Sequence, residues 1–451
     1  VSPRRPRGRR ERPAGAEPAS LPRLDFNVVD EAVQLLDSDA EPWSIHLEVR
    51  VAGALDEARL RAAVAGALAR HPMGRARRAT SRLWDRGYRW EVTGSLDLDP
   101  VRVVDCADDA ALGRARDAAQ SLGVPLVESP PLRVRLIRHP GGDVVMLNVS
   151  HAATDGFGAL RILRSIARAY AGEPDPVPDL DLASARNLQA GLAAGDGTSR
   201  SRRVYALLRK ARDLVAAPAR VAPDQGSDRP GYGLHPVTLT AAQTDALLGV
   251  RHRGTINDLL LAALHLAIAG WNAEHGTGCR RIGVMLPVNL RPPGWRDEVV
   301  SNFSLMATIS TSARDRAGGA LRAVTEQTGH MKRFGTGAAL IEVLSLSPRV
   351  PLWVKQATAP LLWLTGNRLV DTAMLSNLGR MDELPSFGPD AGGTVGLLFS
   401  PPCRMPLGVA VGAVTAAGRL HLVFRYRHPL LSADAARRFA DRYVSALGSL
   451  R

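Results

Sequence analysis

With 451 residues and 45% hydrophobic content, the chain is globular rather than disordered and too long for one small core, which predicts two domains or two lobes sharing a cleft. Its formal charge is +14, and only three of the cations are lysines, Lys210, Lys332 and Lys355. Residues 1–23 hold seven arginines against Glu11 and Glu17, a net of +5, which leaves +9 for the rest. That excess reads either as a compositional bias toward Arg and Ala or as attraction of an anionic partner. A nucleic acid is not expected, because no helix-turn-helix, zinc or aromatic stacking signature accompanies the charge. Cys106, Cys279 and Cys403 are far apart without metal or disulfide spacing, so free thiols and no metal site are expected. The longest apolar run, Leu259–Trp271, is too short to span a bilayer and contains His265. The arginine-rich start lacks the apolar core of a signal peptide, which predicts a cytoplasmic location. The first residue is Val, read as a truncated or alternative start.

Residues 1–22, rich in Arg, Pro and Ala, read as a disordered tail. A first lobe is expected over 23–172. His46–Val51 alternates like a strand, and Gly53-Ala54-Leu55-Asp56 turns into a helix to Arg70 that His71-Pro72 stops. Strands at Leu132–Ile137 and Val144–Val149 flank the turn His139-Pro140-Gly141-Gly142. A helix follows from Gly156 to Gly172-Glu173-Pro174. Residues 173–232 shift to Pro, Asp, Gly, Ser and Arg around one helical stretch at 204–215, and read as a crossover linker. A second lobe is expected over 233–451. It should hold helices at 241–249, Thr255–Trp271 and Ala433–Leu447, and strands at 282–286, 304–309, 394–400, 407–414 and 420–425.

The strongest chemical signal is Ser150-His151-Ala152-Ala153-Thr154-Asp155-Gly156, directly after the second strand of the pair. A histidine there can take a proton near neutral pH, a carboxylate can brace the backbone, and a glycine permits a turn that a side chain would block. Other landmarks follow in order. Gly53-Ala54-Leu55-Asp56-Glu57-Ala58-Arg59-Leu60 leads to Ala69-Arg70-His71-Pro72, and Pro131-Leu132-Arg133-Val134 precedes the histidine. Pro287-Val288-Asn289-Leu290-Arg291 precedes Ser301-Asn302-Phe303, and Ser376-Asn377-Leu378-Gly379 comes last.

In this order the pieces resemble the acyltransferase superfamily of chloramphenicol acetyltransferase, nonribosomal peptide synthetase condensation domains, wax ester synthases and polyketide-associated acyltransferases. The resemblance covers most of residues 24–447. It implies an α/β fold of two chloramphenicol-acetyltransferase-like lobes in a V with an active-site tunnel between them. It implies His151 as the base that deprotonates an alcohol or amine acceptor, which attacks a thioester directly without an acyl-enzyme. The thioester would be acyl-CoA or a phosphopantetheinyl group on an acyl or peptidyl carrier protein, a co-substrate rather than a permanently bound cofactor. By the same resemblance Asp155 is structural and pairs with an arginine, for which Arg291 is the best candidate, beside Gly156. Lipid, polyketide or other secondary metabolism is the implied setting.

Two departures matter. Condensation domains usually carry two histidines before x-x-x-D-G, and here the first is Ser150; nor is there an Asp-Phe-Gly-Trp-Gly segment near the C-terminus. Both favour a freestanding enzyme, with ester formation modestly preferred over amide formation. The alternative is a non-catalytic condensation-like module that recruits a carrier protein. His71 reads as a helix-end packing residue and His265 as a core residue. Ser376 and Asn377 read either as oxyanion or tunnel donors or as turn formers, and Gly388–Gly393 as a plain loop. The apolar stretch Ala339–Leu369 reads as core-facing helices, as a wall for a greasy acyl chain or polycyclic acceptor, or as a peripheral membrane contact.

Overall fold

The architecture is that of a computed structural model that describes residues 21–188, 217–250, 254–278, 280–292, 294, 295, 297–334, 350–358, 368 and 370–450. The helical stretch at 204–215, Cys279 and most of Ala339–Leu369 lie outside the described residues.

The first half opens with β1 (Arg23–Asp25) and α1 (Val28–Leu36). Asn27 starts α1 because its side chain accepts from the amides of Val29 and Asp30 while Asp30 accepts from the Asn27 amide, a reciprocal cap. Next come β2 (Ser44–Val51) and α2 (Glu57–Arg70), which Asp56 caps and whose Leu60, Val64, Ala67 and Leu68 face inward. Short strands β3 (Ala76–Arg78) and β4 (Arg89–Val92) form a small sheet with β1. They are followed by β5 (Val101–Asp105), α3 (Asp109–Ser121), β6 (Leu132–Arg138), β7 (Val144–Ser150) and α4 (Gly156–Ala171). Every residue of β7 is buried, which explains its unbroken apolar run.

The second half contributes β8 (Tyr232–Thr238), α5 (Ala241–Gly249), α6 (Ile256–Glu274), β9 (Arg281–Asn289), β10 (Ser304–Ser312), α7 (Ala317–Phe334) and α8 (Leu352–Thr358). It ends with β11 (Ala373–Met381), β12 (Thr394–Ser400), β13 (Val409–Ala416), β14 (Arg419–Arg427) and α9 (Ala433–Ser449). Helix α6 is long and apolar enough, by length and composition, to cross a membrane. Its Leu259–Leu264, Ala267, Ile268 and Trp271 nevertheless lie in the second core, and His265 bonds Thr311 there at 2.6 Å.

Two large sheets organise two lobes. The six-stranded sheet runs β10-β9-β11-β13-β14-β8, with β11 parallel to both its neighbours. The five-stranded sheet runs β12-β2-β7-β6-β5. Here the structure revises the sequence boundary. Strand β12, grouped by sequence with the lobe over 233–451, pairs antiparallel with β2 from Ser400↔His46 to Thr394↔Val51 and belongs to the first sheet. The chain leaves the second sheet after β11, adds one strand to the first lobe, and returns as β13.

The lobes are also joined by Arg425, which is fully buried on β14. Its guanidinium donates to the carbonyl of Gln120 at 2.8 Å, Ser44 at 3.1 Å and Pro42 at 3.3 Å, all in the first half, and lies 4.3 Å above the Tyr232 ring. Among the described residues no carboxylate pairs with it, so backbone dipoles satisfy a charge whose burial is otherwise costly. Arg425→Ala should therefore destabilise the protein by about 3 kcal/mol or more, since several buried carbonyls lose a charged donor together. Urea unfolding checks this, and an unchanged midpoint would contradict the tether.

Candidate active site

The turn 151–154 follows β7 at the junction of the two lobes. His151 is 4% exposed, and its backbone is held on both sides. Its N–H donates to the Trp43 carbonyl at 3.0 Å, and its carbonyl accepts from Asn302 Nδ2 at 2.7 Å. Burial lowers the imidazole pKa below the ordinary histidine value, against the opposing pull of the Asp155 carboxylate, the backbone carbonyls of His151 and Thr154, and Asp30. The ring is thus kept neutral, the form in which it can accept a proton. Nδ1 makes no hydrogen bond of standard geometry among the described residues.

Asp155 is fully buried and every contact of its carboxylate is structural. Its Oδ2 accepts from Arg291 Nη1 at 2.6 Å, the Phe303 amide at 2.8 Å and Ser304 Oγ at 3.2 Å. Its Oδ1 accepts from Arg291 Nη2 at 2.7 Å and the Gly158 amide at 3.1 Å, the last as the N-cap of α4. Burial alone would raise this carboxyl, but the Arg291 guanidinium and the amide donors outweigh it and hold the pKa below the usual range. Arg291 Nη2 also bonds the carbonyls of Ser301 and Val299 at 2.7 and 3.2 Å. The Ser301 carbonyl takes Thr154 Oγ1 at 3.2 Å and the Asp155 amide at 3.4 Å as well, so segment 299–304 lies along the histidine turn.

Two glycines sit in close quarters, and Gly158 leaves no room for a side chain. A Cβ on Gly156 would sit 3.0 Å from Leu378 Cδ2 and 3.4 Å from the Phe399 ring, and one on Gly158 would sit 1.9 Å from Thr154 Oγ1. Gly158 was not singled out by the motif. Ser376 is buried on β11, and Asn377 donates from Nδ2 to Asn257 at 3.1 Å while accepting from the Gly379 amide at 2.8 Å. Neither hydrogen-bonds to residues 150–155; Asn377 serves the irregular end of β11, and it is Leu378 that packs against Gly156.

Asn302 is the residue that sequence reasoning passed over as more than a landmark. It is fully buried, binds the His151 carbonyl, and receives Asn27 Nδ2 on its own carbonyl at 3.2 Å, which links α1 to the site. Its signal was its place in Ser301-Asn302-Phe303, ten or so residues after Arg291. Asp30 carried no signal. It is buried beside Trp90 Nε1 at 3.1 Å and ion-paired to Arg186, and desolvation raises its pKa.

No family model matches the chain. It is 36% identical over 437 residues to the uncharacterized protein Rv2305 of Mycobacterium tuberculosis strain H37Rv, covering 94% of this chain and 99% of that one. It is 30% identical over 307 residues to the probable non-canonical nonribosomal peptide synthetase CymA of Salinispora arenicola, covering 62% of this chain and 4% of that one. The fold matches the starter condensation domain of rhizomide synthetase with a TM-score of 0.64 at 15% identity, over 95% of this chain and 94% of that one. The chain belongs to one family with Rv2305, and its fold is that of condensation domains. The α/β architecture of two lobes matches that fold over nearly the whole chain.

In this condensation-like protein, removing either Asp155 or Arg291 as alanine should cost about 3–5 kcal/mol, because the partner is left buried and uncompensated. The Asp155 contribution is present above the unfolded carboxyl pKa and is lost as pH falls through the lower folded value. Denaturant unfolding across acid pH should show that loss in the wild type and a flatter response in Asp155→Asn. Parallel curves would contradict the brace.

Proposed function

We propose that this protein is an acyltransferase that moves an acyl group from a CoA or carrier-protein thioester to an alcohol or amine acceptor, with His151 as general base. The carrying observation is His151 itself: kept toward its neutral form by burial, clamped through both backbone groups at the lobe junction, and followed by the buried Asp155–Arg291 ion pair. The acceptor O–H or N–H gives its proton to the imidazole as the heteroatom attacks the thioester carbonyl. The C–S bond of the resulting adduct breaks, and the imidazolium returns the proton to the leaving thiolate. Atoms and charges balance with no acyl-enzyme and no bound cofactor. The buried thiols Cys106 and Cys403 support direct attack, since burial raises both pKa values, Cys403 to about 12, and disfavours a thiolate nucleophile.

The rhizomide starter domain was crystallised as a mutant with C8-CoA and Leu-SNAC, one a CoA derivative of the donor class proposed here. Ester formation is preferred, following Ser150 in place of a first histidine. A carrier protein is the proposed partner where the donor is not CoA, and the cytoplasm the proposed location.

His151→Ala should remain folded and lose at least about 100-fold in transfer, the scale of a lost general base. A panel of acyl-CoA and pantetheine thioesters with small alcohols and amines, followed by thiol release, checks it. Turnover near the wild-type level would sink the assignment.

The wild-type rate should hold its plateau as pH falls through about 6.5, the unperturbed histidine value, and decline only below it, because burial favours the neutral ring. A pH–rate profile breaking at or above that value would contradict a desolvated base.

A further inference from the structure

Away from the site, three large apolar side chains lie together in the open. Leu83, Trp84 and Trp353 are 63%, 76% and 44% exposed. The two indoles meet edge to face with ring centroids 6.0 Å apart. They come from distant parts of the sequence and are brought together by the backbone. The Trp353 amide donates to the Leu83 carbonyl at 3.2 Å and the Leu352 amide to the Asp85 carbonyl at 2.8 Å. Lys355 Nζ holds the Arg86 carbonyl at 2.7 Å and ion-pairs with Glu31 of α1. The patch is therefore a built feature.

Its shape narrows the partner. The Asp85 amide donates to the Arg82 carbonyl at 3.0 Å, which makes Leu83 and Trp84 the two central residues of a turn and sets them at a convex apex. Three side chains on an apex fall far short of the roughly 800 Å² a side that a stable protein interface buries. They suit insertion between lipid headgroups, where an indole places an apolar ring and a polar N–H across the boundary. The rim agrees. Arg82 and Arg86 are exposed and have no ion-pair partner among the described residues, while the Asp85 carboxylate turns back to the Arg82 amide at 2.7 Å. The whole chain adds a charge of +14. Anionic headgroups would meet guanidinium groups around the inserted rings.

We propose that the apex formed by Leu83, Trp84 and Trp353, with Arg82 and Arg86 at its rim, docks this protein peripherally on an anionic lipid bilayer. The anchor reaches the site through α1: Lys355 holds Glu31, and the cap of the same helix, Asn27, bonds Asn302 beside His151. A docked molecule would hold its site near the bilayer surface, where lipid-borne substrates are concentrated. The docking itself does not depend on the acyl-transfer reading.

The test is co-sedimentation of the full chain with vesicles of phosphatidylcholine alone and of equimolar phosphatidylcholine and phosphatidylglycerol. Wild type should bind the anionic vesicles and bind neutral ones far less. Leu83→Ser/Trp84→Ser/Trp353→Ser should bind at least about tenfold more weakly, and Arg82→Gln/Arg86→Gln several-fold more weakly. The arginine-rich N-terminal run is common to all variants, so the differences report the patch alone. Thermal melting checks that each variant folds. Should the triple variant fail, brominated phosphatidylcholine in the anionic vesicles should quench wild-type indole emission and quench Trp84→Phe/Trp353→Phe less. Wild type that ignores both vesicles, binds neutral ones equally, or binds no better than either variant would overturn the proposal. So would vesicle-blind wild type that captures an acidic carrier protein through the same three residues, which would make the apex a protein dock.

Discussion

The carboxylate of Asp155 is the point on which the functional half of this structure rests. It is fully buried, a position in which an ionised group is costly unless every lone pair is used. Five donors use them: two from Arg291, the amides of Gly158 and Phe303, and the Ser304 hydroxyl. Those donors come from the start of α4, the end of β9 and the start of β10. One charge therefore fixes where the helix begins, how the second lobe meets it, and the conformation of the turn carrying His151. The aspartate of the motif is an anchor for the backbone around the histidine turn.

The same economy of buried polar groups recurs across the lobe junction. Asn302 donates to the His151 carbonyl, and its own carbonyl accepts from Asn27. Arg425 reaches from the second sheet into three carbonyls of the first half. Strand β12 completes the first sheet with a segment that follows most of the second in sequence. Each link removes a degree of freedom between the lobes, so their junction is preorganised by hydrogen bonds as well as by apolar contact.

These contacts bear on the arginine excess. Arg161, Arg186, Arg291 and Arg425 are all 8% exposed or less. Arg161 pairs with Asp175 at 2.7 Å and Glu298 at 3.1 Å, and Arg186 pairs with Asp30. A planar group with five donors can satisfy several carbonyls and a carboxylate at once, which a lysine cannot do. Part of the basic composition therefore serves interior packing, and only the exposed remainder is open to anionic partners.

Much of the architecture was legible because the periods are clean. The helix after Asp56, the strands around His139-Pro140-Gly141-Gly142, the buried run before His151 and the long helix after Thr255 each match an element in the structure. Helices α1 and α3 and strand β5 were not legible, since short amphipathic segments carry little periodic signal and their register is set by neighbours. The sequence by itself determined the residue types at the site and their order: a histidine after a buried strand, an aspartate four residues on, a later arginine. Only the tertiary structure decided which carbonyl Asn302 holds, that Asn377 turns to Asn257, and that β12 crosses to the first sheet. Those choices depend on residues over a hundred positions apart, and an alternating strand pattern fixes which face is buried but not which edge it joins.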